Sequence, residues 1–189
     1  MLYGSFSGNP KTEWLCDEVD DSNMRMLEAF WYTDPQGRRW DAPKGSITNG
    51  ASIPRTLWSS IGSPYTGHYR RAAIVHDIAL QTPGVSRDEA DTMFYFACAA
   101  GGCPLIDSKL LYAGVRIGTW SAATRTYAAG ILTFAPMALA PRLPGQQTPI
   151  ELEMRARYTL LAAELQDTAD DFDAIRAAVA RQLALPGRA

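Results

Sequence analysis

The sequence predicts an α+β fold: a small N-terminal antiparallel β-sheet or hairpin, then a mainly helical region that contains an antiparallel helix pair. Three observations carry that reading. An aromatic run in "EAFWYT" meets a second short run ending at Trp40 across the turn Asp34-Pro35-Gln36-Gly37, which is a hairpin pattern. Ser86 and Glu89 form the S-x-x-E capping box that opens a helix. Apolar residues recur at helical spacing from the middle of the chain to its end.

The elements follow in order. Asp34 and Pro35 suit the first two positions of the turn and Gly37 the last. "APKGSITNGASIP" then reads as an extended, glycine-punctuated crossing that delivers the chain to a short helix after Pro54, a residue suited to a helix start. A longer helix is predicted from Thr66 to Gln81, broken by "TPGVS", and the next starts at Ser86. "GGCP" at Gly101–Pro104 ends it. Another helix is predicted from Asp107 to Arg125. After a linker, "APRLPGQQTP", come two amphipathic helices, Pro149–Asp167 and Asp170–Leu185. Their stripes are Ile150, Met154, Leu161, Leu165 and Phe172, Ile175, Val179, Leu183, which read as core or as a partner face. The chain therefore divides into an α+β domain over residues 1–141 and a linker with a C-terminal amphipathic helical appendage over residues 142–189.

Composition narrows the function classes. At 189 residues, 47% hydrophobic and 20% charged, the chain buries a sizeable core. A net charge of -2 argues against nucleic acid as a partner, which calls for a basic face. The opening "MLYGSFSGNPKTEWLCDEVDD" lacks the basic-then-apolar pattern of a secretory signal, so synthesis in the cytoplasm without a signal peptide is expected. Cys16, Cys98 and Cys103 form no C-x-x-C pair, which fits a reducing compartment, and Cys98 and Cys103 read as small buried hydrophobes. "YAAGILTFAPMALAP", Tyr127 to Pro141, is nearly free of polar side chains but is interrupted by Pro136. It is short of the ~20 residues a spanning helix needs and reads as a buried segment, a membrane-touching hairpin being the minority alternative.

The chain has two histidines, His68 and His76, and His76 is followed at once by Asp77. His76 shares its helical face with Ala72, Ala73, Ala79 and Leu80, so it points inward. Asp91 shares its face on the next helix with Phe94, Tyr95 and Cys98. The two residues lie almost equally far from the break at Pro83–Gly84, and a short loop favours antiparallel return. His76 and Asp91 thus come level between two apolar faces. A carboxylate that accepts from one ring nitrogen fixes the tautomer and leaves the other nitrogen as a base. The same pair could equally pin a helical hairpin without chemistry. Asp77 points about 100° round the helix and is left for another task, such as binding a cation with carbonyls of "TNGAS" or "SPYTG". His68 reads as a surface or rim residue.

"TNGASIPRTLWSSIGSPYTGHYRRAAIVHDIAL", followed by "SRDEAD" and "YAGVRIG", resembles the DUF1353 family, small proteins of uncharacterised function found largely in tailed phages and prophages. The resemblance spans about Phe30 to Gly118 and departs from the family pattern at Asn49 and Leu80. It implies a phage or prophage setting, and incorporation in a phage particle. A weaker resemblance links "RRAAIVHDIAL" and "EADTMF" to the helix pair of phospholipase A2. That resemblance implies His76 as base, Asp91 as orienting carboxylate, Asp77 as a calcium ligand, Ca2+ as cofactor and a lipid ester as substrate. "AAIVHDIAL" is also similar to metal-dependent HD phosphohydrolases, whose additional upstream histidine ligand has no suitable counterpart, since His68 lies too close on the same helix. The expectation is a hydrolase-like protein using His76 and Asp91. The alternative is a non-catalytic virion protein with a structural His–Asp pair, docking to phage structural proteins through its C-terminal helices.

Overall fold

The computed structural model describes residues 2–16, 23–62, 67–131 and 147–184, without the side chains of 124–131. It is an α+β fold, with two small antiparallel sheets at the N-terminal end and helices after them. One sheet has the order β1 (Ser5–Phe6), β4 (Phe30–Thr33), β5 (Arg39–Ala42); the other has β2 (Thr12–Trp14), β3 (Met24–Met26), β6 (Ile47–Thr48). The predicted hairpin is β4–β5, in register Phe30↔Ala42 and Tyr32↔Trp40. Those four side chains are buried and their neighbours less so, the alternation of a sheet with one face on a core. Asp34 closes the turn: its Oδ1 accepts from the amides of Gln36 at 3.0 Å and Arg38 at 2.8 Å. Its Oδ2 accepts from Trp40 Nε1 at 3.0 Å.

A 3-10 turn, Arg55–Leu57, runs into α1 (Trp58–Ile61). Then come α2 (Arg70–Gln81), α3 (Arg87–Ala100) and α4 (Leu105–Ile131). The capping box at the head of α3 is formed in both directions, with Glu89 N donating to Ser86 Oγ and Ser86 N to Glu89 Oε2. The α4 helix starts two residues before the expected Asp107 and passes the expected Arg125. Of the apolar segment Tyr127–Pro141, residues 132–141 lie outside the described residues, and 127–131 continue α4. Among the described residues, no helix is long and apolar enough to cross a membrane.

The last two helices, α5 (Pro149–Asp167) and α6 (Phe172–Ala184), lie against the others. Met154, Leu161, Leu165, Ile175 and Val179 belong to the same buried cluster as Tyr32, Ile74, Phe94 and Tyr112, and Ile150, Phe172 and Leu183 pack on it. The two apolar stripes are thus covered within the chain. Polar ties reinforce this. Arg155 Nε donates to Thr56 Oγ1 at 2.9 Å. Lys109 of α4, 3% exposed, donates through Nζ to Thr168 O at 2.6 Å and pairs with Asp170 at 2.7 Å. A cation on the last carbonyls of a helix answers both its unpaired acceptors and its dipole.

Candidate functional site

The helix pair places the two residues as their spacing predicts. Helices α2 and α3 fold back on each other, and His76 Nε2 donates to Asp91 Oδ1 at 2.8 Å. Both side chains are fully buried. The imidazole also tilts against the Phe94 ring, with centroids 4.8 Å apart. The other nitrogen, Nδ1, is buried with no hydrogen-bond partner among the described residues.

Asp91 has further partners that the sequence did not reveal. Its Oδ2 accepts from Thr119 Oγ1 at 3.2 Å and faces Arg116 NH1 at 3.5 Å. Thr119 shares its hydroxyl hydrogen with Val115 O at 3.2 Å. Arg116 NH1 pairs at 2.7 Å with Asp88, which also binds Arg176 of α6 at 2.6 Å. A chain of charges therefore runs from the surface of α6 through α3 and α4 to the buried dyad. A buried carboxylate needs such donors to replace the hydration it loses. The sequence signal that could have found Arg116 is its position as the one charged residue of "LLYAGVRIG".

Asp77 does not join the dyad. Its Oδ2 accepts from the backbone amide of Asn49 at 3.0 Å and from Gln81 Nε2 at 3.3 Å. The same Gln81 amide donates to Ile47 O at 3.2 Å. Asp77 is therefore an acceptor that ties α2 to the "TNGAS" crossing. Calcium takes about six to eight oxygen ligands, whereas the crossing offers Asp77 an N–H, and "SPYTG" lies outside the described residues save Gly67. Among the described residues, no group of three or more His, Cys, Asp or Glu side chains could hold a metal. Among the described residues, the surroundings of Asp77 do not fit calcium.

The quoted motif strings converge on one cleft of about 350 Å³, lined by Ser52, Arg55 and Thr56 from the first, Arg87 from the second and Gly118 from the third. The approach needs a glycine at 118, because a Cβ there would stand 2.7 Å from Ser52 O and 3.3 Å from Pro54. Gly118 adjoins Thr119, the donor to Asp91, and Arg87 lies one turn before Asp91 on α3. His68 is exposed, on the rim of a different cavity.

Comparison with known proteins agrees with this motif. Two proteins of Sinorhizobium fredii (strain NBRC 101917 / NGR234) are similar to the chain. "Uncharacterized protein y4jT" is 32% identical over 124 residues, 65% of this chain and 34% of that protein. "Uncharacterized protein y4iH" is 35% identical over 102 residues, 53% of this chain and 43% of that protein. The chain thus spans well under half the length of these curated relatives. No solved structure matches it. The model of the family DUF1353, described as "Protein of unknown function (DUF1353)", matches residues 24–115. The stretch that holds the β4–β5 hairpin, the motif crossing, the His76–Asp91 pair and the start of α4 is therefore the part of the chain that matches the DUF1353 family.

Proposed function

We propose that the chain is a hydrolase-like protein in which His76 is the general base and Asp91 the carboxylate that orients it. The observation that supports this reading is the asymmetry of the ring. Nε2 is held at 2.8 Å by a carboxylate, while Nδ1 is buried with no partner among the described residues. Leaving a buried polar atom unpaired costs about 1–3 kcal/mol, and such an atom calls for an explanation. A base that awaits a water or a substrate hydroxyl supplies one.

On this reading Nδ1 takes a proton from water while the water oxygen attacks an ester carbonyl, whose π electrons move to the carbonyl oxygen. The imidazolium is stabilised by Asp91, itself fixed by Thr119 and Arg116. Collapse of the tetrahedral centre expels the alkoxide, which takes the proton back. Arg55 and Arg87 outnumber the single carboxylate, Glu151, that lines the neighbouring cleft with them, which suits an anionic ester, in keeping with the lipid ester that the phospholipase A2 resemblance implies. Neither member of the dyad is exposed, so turnover requires the packing around the ring to open.

That same full burial favours a second reading, in which the pair is a staple between α2 and α3 of a non-catalytic phage particle protein. The deciding experiment is hydrolysis of mixed phosphatidylglycerol and phosphatidylcholine vesicles, with calcium or with chelator. It compares the wild-type chain with His76→Ala and Asp91→Asn, each also unfolded in urea. Hydrolysis that disappears in both variants while their circular dichroism is retained bears the dyad out. An inactive wild type, with both variants merely less stable, sinks it in favour of the staple.

A further inference from the structure

The C-terminal end of α3 is a Schellman turn. Cys103 N donates to Cys98 O and Gly102 N to Ala99 O, both at 3.1 Å, with Gly102 at φ 96°. In this motif the side chain three residues from the helix end meets the one just past the glycine. Here both are cysteines, so the turn sets the Cys98 and Cys103 side chains against each other. The C-x4-C spacing, unremarkable in the sequence, is the spacing that this turn brings together.

Three further features surround Cys103. It stands two residues before Leu105, the first residue of α4, where the amide dipoles favour a thiolate. It lines a cavity of about 190 Å³ together with Ser60, His68, Asp107 and Tyr158. Tyr158 is 5% exposed and its hydroxyl has no partner among the described residues, so the cavity wall carries a buried polar group still to be satisfied. The hydrogen bond from Cys98 holds the Cys103 thiol below its ordinary pKa, against its burial and the opposing charge of Asp107. Burial pushes Cys98 well up.

We propose that Cys103 and Cys98 are a dithiol site that a small hydroperoxide, entering this cavity, converts to a disulfide. The Cys103 thiolate attacks one peroxide oxygen: an S–O bond forms, the O–O bond breaks, and the departing oxygen leaves protonated by solvent. The Cys98 sulfur then attacks the sulfenic acid. An S–S bond forms, the S–O bond breaks, and the oxygen leaves as water with the Cys98 proton. The two sulfurs together lose two electrons and the peroxide gains them. Cys103 is the attacking thiol because it faces the cavity; Cys98, wholly enclosed, resolves.

The test uses the full chain with the exposed third cysteine removed by Cys16→Ser. The reduced protein is treated with hydrogen peroxide, and the tryptic peptide Asp88–Lys109, which holds both thiols, is weighed. The expected result is a loss of two hydrogens that dithiothreitol reverses. Adding Cys98→Ser stops the reaction at a sulfenic acid on Cys103, trapped by dimedone; adding Cys103→Ser leaves Cys98 unreacted. An unchanged peptide mass, or oxygen gained only at Met93 of the same peptide, overturns the proposal. Oxidation of Cys98 in the Cys103→Ser protein at the parental rate does so as well.

Discussion

Asp91 is the residue on which the interior depends most, because three side chains from two helices converge on one carboxylate. Removing one partner of a buried ion pair costs about 3–5 kcal/mol, so Asp91→Asn should lower the urea unfolding free energy by that order. Thr119→Val removes one hydrogen bond to a charged acceptor and should cost about 1.5–3 kcal/mol by the same measurement. The surface offers a contrast in pH dependence. Glu89 is held down to about 2 from 4.5 by the Ser86 amide first, then the Ser86 hydroxyl and Arg38. A carboxylate depressed in the folded state stabilises above its unfolded pKa, and that contribution fades as the pH falls from 4.5 toward 2. Urea midpoints across that window should therefore fall less steeply in Glu89→Gln than in the wild type. The meeting of His76 and Asp91 was legible because both sit at matched distances from one short loop. Arg116 and Thr119 were not, since the rotation of α4 about its axis is set by packing beyond the next turn.

Among the elements, those with a local signal were readable and those without were not. The β4–β5 hairpin has two runs and a turn whose Asp34 bonds its own following amides. Strands β1, β2, β3 and β6 are two or three residues long, too short for an alternation to register, and their pairing is decided by partners distant in the chain. The start of α3 was legible from its capping box; Ser86→Ala should cost about 1 kcal/mol, seen as an earlier thermal midpoint. The joint between α4 and the motif crossing depends on a missing side chain. Gly118→Ala sets a methyl 2.7 Å from a backbone oxygen, which no rotamer change relieves. Overpacking of this kind typically costs about 1–3 kcal/mol. Its readout is the urea midpoint, and an unchanged midpoint would mean that α4 moves aside freely.

For the molecule as a whole, the question is how far the C-terminal helices share the fate of the rest. The stripes read from the sequence as core or partner face are buried in the cluster that also holds Tyr32 and Phe94. Leu165 is fully buried there, so Leu165→Ala should cost about 2–5 kcal/mol and lower a single transition followed by both tryptophan fluorescence and circular dichroism. Two separate transitions, only one of them shifted, would mark residues 142–189 as an independent appendage. The lysine that α4 sends under the end of α5 has a practical corollary. Lys109 is one of three lysines, and the other two, Lys11 and Lys44, are exposed. In native protein an amine-reactive label should mark those two at once and reach Lys109 only when α5 and α6 lift away. The chain thus carries a single-site clock for that motion, readable by mass without any added probe.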